Sequence, residues 1–213
     1  MLIRSALATA AAAALVVVPV TAANAQTWQH VDATHDVRSA TFDESTTAEP
    51  DLTPAPAQAD PDIKRVKVNY GARKVSVRMH FRDLSRTRDA FSFYGFMVRT
   101  DEHKLREVTL AAGAGMWKGQ AELSGRRGTI HCKGLRHHIS YRLHDVLVRV
   151  PRSCLSDPRW VKVGGISMKD TISVPDDPNA DLSDITETMF LDDALSPHAS
   201  LTRMHWSPRI HRG

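Results

Sequence analysis

The residues whose spacing most resembles a chemical site are acids near the C-terminal end. The stretch "DDPNADLSDITE" places Asp177, Asn179 and Asp181 at every second position, with Glu187 beyond them. Oxygen donors spaced in this way suit Ca²⁺, which takes six to eight oxygen ligands. The match to a helix–loop–helix calcium loop is poor. Leu182 stands where that loop needs glycine, and Glu187 falls one place short of the usual closing glutamate. A solvated acidic loop is the simpler reading, with Ca²⁺ the one cofactor left open. Asp176, Asp177, Asp192 and Asp193 could instead serve a hydrolase. That chemistry requires carboxylates in one cleft with pKa values driven apart.

A second set of residues is basic. In "IKRVKVNYGARKVSVRMHFRDL" the residues Lys67, Lys74, Arg78 and Arg82 alternate with Val66, Val68, Val75, Val77, Met79 and Phe81. Two strands joined at Gly71-Ala72 would turn the apolar set inward and the bases outward, with His80 among them. Like charges directly opposite one another destabilise a sheet. Something should offset them: acidic segments elsewhere in the chain, or a bound polyanion such as a cell-wall polymer. Neutralisation within the chain is the first reading and a binding face the second.

Aromatic and imidazole groups are weaker leads. Trp117 follows a glycine-rich turn and is the candidate for stacking on a sugar ring, whereas Trp160, between strand-forming valines, reads as core. His131 and His137 could meet on neighbouring strands and hold a transition metal. Unliganded histidines are the simpler account, because Leu135, His137 and Ile139 share an apolar face. Nucleophile-elbow, zinc-helix, phosphate-loop and dinucleotide motifs are absent, which argues against an enzyme without excluding one.

The elements that must position these groups are short and extended. Segments 90–100, 105–112, 128–132, 135–143, 145–151 and 159–168 are β-branched, aromatic or alternating, and Gly, Pro and Asp separate them. No long stretch has helical spacing. "PRSCLSDP" fits one helical turn between Pro151 and Pro158. The expected fold is an all-β antiparallel sandwich, jelly-roll-like, with little helix.

The first 25 residues read as a signal peptide. Arg4, an apolar run from Ala6 to Val18 and the Ala23-Asn24-Ala25 pattern predict cleavage after Ala25. The run is shorter than a membrane span, so a secreted, extracellular protein without a transmembrane segment is expected. Export makes Cys132 and Cys154 a disulfide rather than a catalytic thiol. Residues 26–60 would supply one or two strands and a Pro/Ala-rich acidic loop. Residues 61–213 would form the sandwich, joined by 26–60 or linked to it. Charge is segregated along the same lines, at −6 for 26–60, +13 for 61–171 and −4 for 172–213. A basic middle favours polyanionic partners, but export argues against nucleic acid.

The segments "DIKRVKVNYGARKVSVRMHFRDL", "VPRSCLSDPRWVKVG" and "SPRIHRG" resemble a group of small secreted actinobacterial proteins without an assigned activity. The layout of an early Trp, a long loop and alternating strands is similar to sandwich modules of the DOMON and family 9 carbohydrate-binding type. That likeness implies a sandwich and leaves the ligand open. The expected function is therefore a secreted, non-catalytic module binding a cell-wall polymer or glycan. A hydrolase, or an interaction protein without a small ligand, is the alternative.

Overall fold

The structure is a computed structural model that describes residues 25–42, 50–173 and 186–213. It is an antiparallel β-sandwich of two layers. The strands are β1 (Gln26–Val31), β2 (Arg38–Phe42), β3 (Thr53–Pro54), β4 (Ile63–Tyr70), β5 (Lys74–Phe81), β6 (Ala90–Thr100) and β7 (Leu105–Gly113). They continue as β8 (Gln120–Gly125), β9 (Gly128–Thr129), β10 (Arg136–Ser140), β11 (Asp145–Pro151), β12 (Trp160–Ser173), β13 (Thr186–Asp193) and β14 (Ile210–His211). Helix among the described residues is confined to one 3-10 turn, Arg152–Leu155, entered through Pro151.

One sheet has the order β1-β4-β5-β11-β10. The other runs β3-β2-β13-β12-β6-β7-β8-β9, with β14 also pairing to β12. Alternation explains the layers. Val66, Val68 and Tyr70 of β4, Val75, Val77 and Met79 of β5 and Val146, Val148 and Val150 of β11 point inward and are buried. They meet Tyr94, Phe96 and Val98 of β6, Val108 and Leu110 of β7, and Val161 and Val163 of β12. Burying each such side chain stabilises the fold by roughly 1.5–3 kcal/mol.

Two adjacent glycines of β12 mark where neighbours come too close for a side chain. A Cβ on Gly165 would lie 3.1 Å from Met79 Sδ of the opposite sheet. On the other face, a Cβ on Gly164 would lie 2.7 Å from the His205 carbonyl oxygen, because the C-terminal segment crosses there. That segment ends beside the start of β1. The Gly213 amide donates to the Tyr70 carbonyl, 3.2 Å away, and Gln26 stands opposite Tyr70 in the β1/β4 register.

The disulfide Cys132–Cys154 has a sequence separation of 22 and encloses β10 and β11, tying the chain before the edge strand β10 to the 3-10 turn after β11. Residues 26–42 belong to the sandwich itself: β1 pairs with β4 in one sheet and β2 with β13 in the other. The chain between them, Asp32 to Val37, crosses from sheet to sheet. Three strands differ from expectation. The pairing predicted for 128–132 stops at Thr129, that for 135–143 is confined to Arg136–Ser140, and β12 runs on to Ser173.

Candidate functional site

The outward face of the five-stranded sheet is a shallow depression of about 470 Å³. Arg65 and Lys67 reach it from β4, Lys74, Arg78 and His80 from β5, and Arg149 from β11. Gln29, Asn69 and Ser76 add uncharged donors and acceptors. The registers set base against base: Lys67 is directly opposite Arg78, Arg149 opposite Arg136 of β10, and Arg65 opposite the His80 imidazole. One acid reaches a groove cation among the described residues. Asp145, buried at the start of β11, accepts from Arg78 Nη1 at 2.6 Å. Burial, reinforced by Arg65, Arg78 and Lys64 against a smaller opposing pull from Asp145, holds His80 below the usual histidine pKa. This face can therefore carry several positive charges that lack an anion.

Of the residues singled out in the sequence, Lys67, Lys74 and Arg78 come together here. Arg82 does not. The strand ends at Phe81, and Arg82 turns away to meet Asp62 at 2.9 Å and the carbonyls of Pro56 and Ala57. Trp117, in the β7–β8 turn, packs its edge against Tyr141, which also carries Arg86 over its ring at 4.7 Å. Half-buried in that way, it is not among the groove residues. His137 donates through Nε2 to the Gly119 carbonyl, 3.1 Å away, and His131 is exposed. Glu187 is exposed on β13. Asp176, Asp177, Asn179 and Asp181 lie outside the described residues. A second basic depression, about 810 Å³, surrounds the β8–β9 turn and contains Lys104, Arg106, Arg126 and Arg127.

The described acids of the N- and C-terminal segments do not line the cationic groove. Several gather in the seam between the sheets, at the edge where β1 crosses to β2. Asp62, just before β4, accepts through Oδ2 from the His35 amide at 2.8 Å and from Arg82. Asp192, at the end of β13, accepts through Oδ2 from the Ile63 amide at 2.6 Å. Asp32 accepts from the Ala33 amide at 3.0 Å. Their other oxygens, and both oxygens of Asp36, accept no hydrogen bond among the described residues. Carboxyl oxygens of Asp36, Asp62 and Asp192 all lie within 4.8 Å of one another. Burial, then the charges of Asp192 and Asp36, pushes Asp32 up to about 9. Burial, then Asp36 and Asp62, pushes Asp192 up to about 8 despite the Ile63 amide. Two further buried acids have partners of their own. Asp60 takes Lys169 Nζ at 2.9 Å, and the Asp193 carboxyl is hydrogen-bonded with His205 Nδ1 at 2.8 Å.

Asp192 and Asp193 are adjacent strand residues, so their side chains leave opposite faces of β13, and both are buried. That places them in structural roles rather than in one open cleft. The sequence reading did not find Arg65 and Arg149 as groove members, nor the seam. Arg65 carries the same alternation signal as Lys67. Arg149 becomes visible only once 145–151 is paired against 74–80.

No protein-family model, no curated protein and no solved structure matches this chain. Among the described residues no helix is long and apolar enough to cross a membrane.

Proposed function

We propose that the chain is an exported, non-catalytic binding module whose cationic sheet face takes a phosphate-bearing polymer of the cell wall. The observation that carries this reading is the ladder of like charges, Lys67 against Arg78 within the depression and Arg149 at its rim against Arg136 of β10, where Asp145 is the one acid that reaches a groove cation among the described residues. A sheet that sets bases opposite bases gives up stability, and a bound polyanion returns it. The strands hold these groups at fixed spacing, so little side-chain ordering remains for binding. The disulfide favours an oxidising compartment, which agrees with cleavage of a leader after Ala25.

Retention on purified cell walls at low and high salt tests the reading, because exposed charges are screened by salt. The wild-type chain should be retained at low salt and released at high salt. The double variant Lys67→Ala/Arg149→Ala should bind about tenfold more weakly, a loss of about 1.4 kcal/mol. Retention that ignores salt, or that falls only in Arg126→Ala/Arg127→Ala at the other basic depression, would sink this assignment.

A further inference from the structure

The seam holds buried carboxyl oxygens that the fold leaves unpaired among the described residues. Asp62 and Asp192 are both 0% exposed, and each spends one oxygen on the protein: Asp62 on His35 and Arg82, Asp192 on Ile63. The second oxygen of each is buried and receives no hydrogen bond among the described residues. Asp32 is 6% exposed and has the same arrangement, with Oδ2 unpartnered. Asp36 contributes two more unpartnered oxygens from the crossover chain. Buried polar atoms are almost always paired, and a buried carboxylate without a counter-charge is among the most destabilising arrangements a protein can hold. Here the unpaired oxygens come from three separate parts of the chain, and those of Asp36, Asp62 and Asp192 converge to within 4.8 Å.

We propose that Asp36, Asp62 and Asp192, with the buried Asp32 beside them, form the binding site of one hard divalent cation, Ca²⁺ by its chemistry, which fastens the β1–β2 crossover to both sheets. The donors in the cluster are all carboxylate oxygens, which suit Ca²⁺ rather than ions that prefer nitrogen or sulfur. Among the described residues the four carboxyl groups face the Arg82 guanidinium and, beside Asp36, the His35 and His198 imidazoles, so a doubly charged ion leaves the seam close to neutral. Asp36 is the least buried of the four and provides the side from which an ion would enter. The site joins the end of β1, the start of β4 and the end of β13, so occupancy ties together strands that pair in different sheets. It is independent of the groove: its ligands bind a cation, and they lie in the seam rather than on the basic face.

The test uses the full exported chain, freed of metal with a chelator and then titrated with CaCl₂ against NaCl of equal ionic strength. Calorimetry should give one tight Ca²⁺ per chain, and about 1 mM Ca²⁺ should raise Tm by several degrees. Asp36→Asn keeps the shape of a half-buried side chain and should fold. It should lose the Ca²⁺ response and, without metal, melt higher than wild type because one unpaired charge is gone. Asp32→Asn should weaken Ca²⁺ at least about tenfold, as expected for loss of a ligand charge. The variant Asp177→Asn/Asp181→Asn, in the acidic segment 176–187, should keep the full response. The proposal is overturned if wild type shows no Ca²⁺-specific binding or shift. It is equally overturned if the response survives Asp36→Asn, or if it disappears in Asp177→Asn/Asp181→Asn.

Discussion

The cationic face and the acidic seam treat charge in opposite ways. On the face, Lys74 is exposed and Arg65, Lys67, Arg78 and Arg149 are half-buried, lining a depression that opens to solvent on neighbouring strands. Water screens them, so each close pair costs only a few tenths of a kcal/mol. In the seam, Asp62 and Asp192 are out of reach of water, and the same proximity would cost several times more. Repulsion that is cheap can be kept for a ligand arriving from outside. Repulsion that is expensive has to be resolved inside the fold, by a counter-ion or by uptake of protons.

The sharpest way to break this comparison is to remove a compensating charge from the buried side. Lys169 and Asp60 form a pair with side chains only 6% and 5% exposed, 2.9 Å apart, with Ser85 and Thr87 hydroxyls at 3.2 Å from Nζ. Lys169→Met leaves Asp60 without its cation and should lower the unfolding free energy by about 3 kcal/mol, read from urea denaturation. The matching change on the wet side, Lys67→Ala/Arg149→Ala, should leave stability within about 0.5 kcal/mol of wild type while binding to polyphosphate falls. If both variants lost equal stability, the distinction between dry and wet charge would not describe this molecule.

A smaller effect sharpens the groove itself. Burial and the cations Arg65, Arg78 and Lys64 depress the His80 pKa, with Asp145 pulling the other way. A polyanion beside the ring favours imidazolium and raises that pKa. The complex therefore binds more protons than the free protein, and affinity should rise as the pH falls from about 7.5 to about 5. His80→Gln should flatten the slope contributed by this group. A slope identical to that of the wild type would remove His80 from the ligand's surroundings.

Much of the architecture was legible from period-two patterning. β4, β5 and β11 alternate or are β-branched, β6 is apolar nearly throughout, and Gly71, Asp89, Asp101 and Pro151 stand at or beside the ends of β4, β6 and β11. The same pattern placed Lys67, Lys74 and Arg78 together, because residues of equal parity on paired strands share a face. It failed at Arg82, one residue past the strand end, where the backbone bends and parity no longer sets direction. It over-extended 135–143 because Tyr141 and Leu143 continue the apolar pattern through residues that in fact turn. The seam left no local trace. The crossover pair Asp32 and Asp36, Asp62 and Asp192 come from three parts of the chain that are far apart in sequence and meet only because β1 and β2 join different sheets.

The closeness of Gly213 to the start of β1 has an engineering consequence. The carbonyl of Tyr70 receives the Gly213 amide and the same residue faces Gln26, so a short flexible linker can close residues 26–213 into a ring. New ends can then be opened between Arg126 and Arg127, both exposed at the tip of the β8–β9 hairpin. Such a circular permutant preserves every strand pairing around the cationic face, and it moves the attachment point for a reporter or a surface tether to that hairpin.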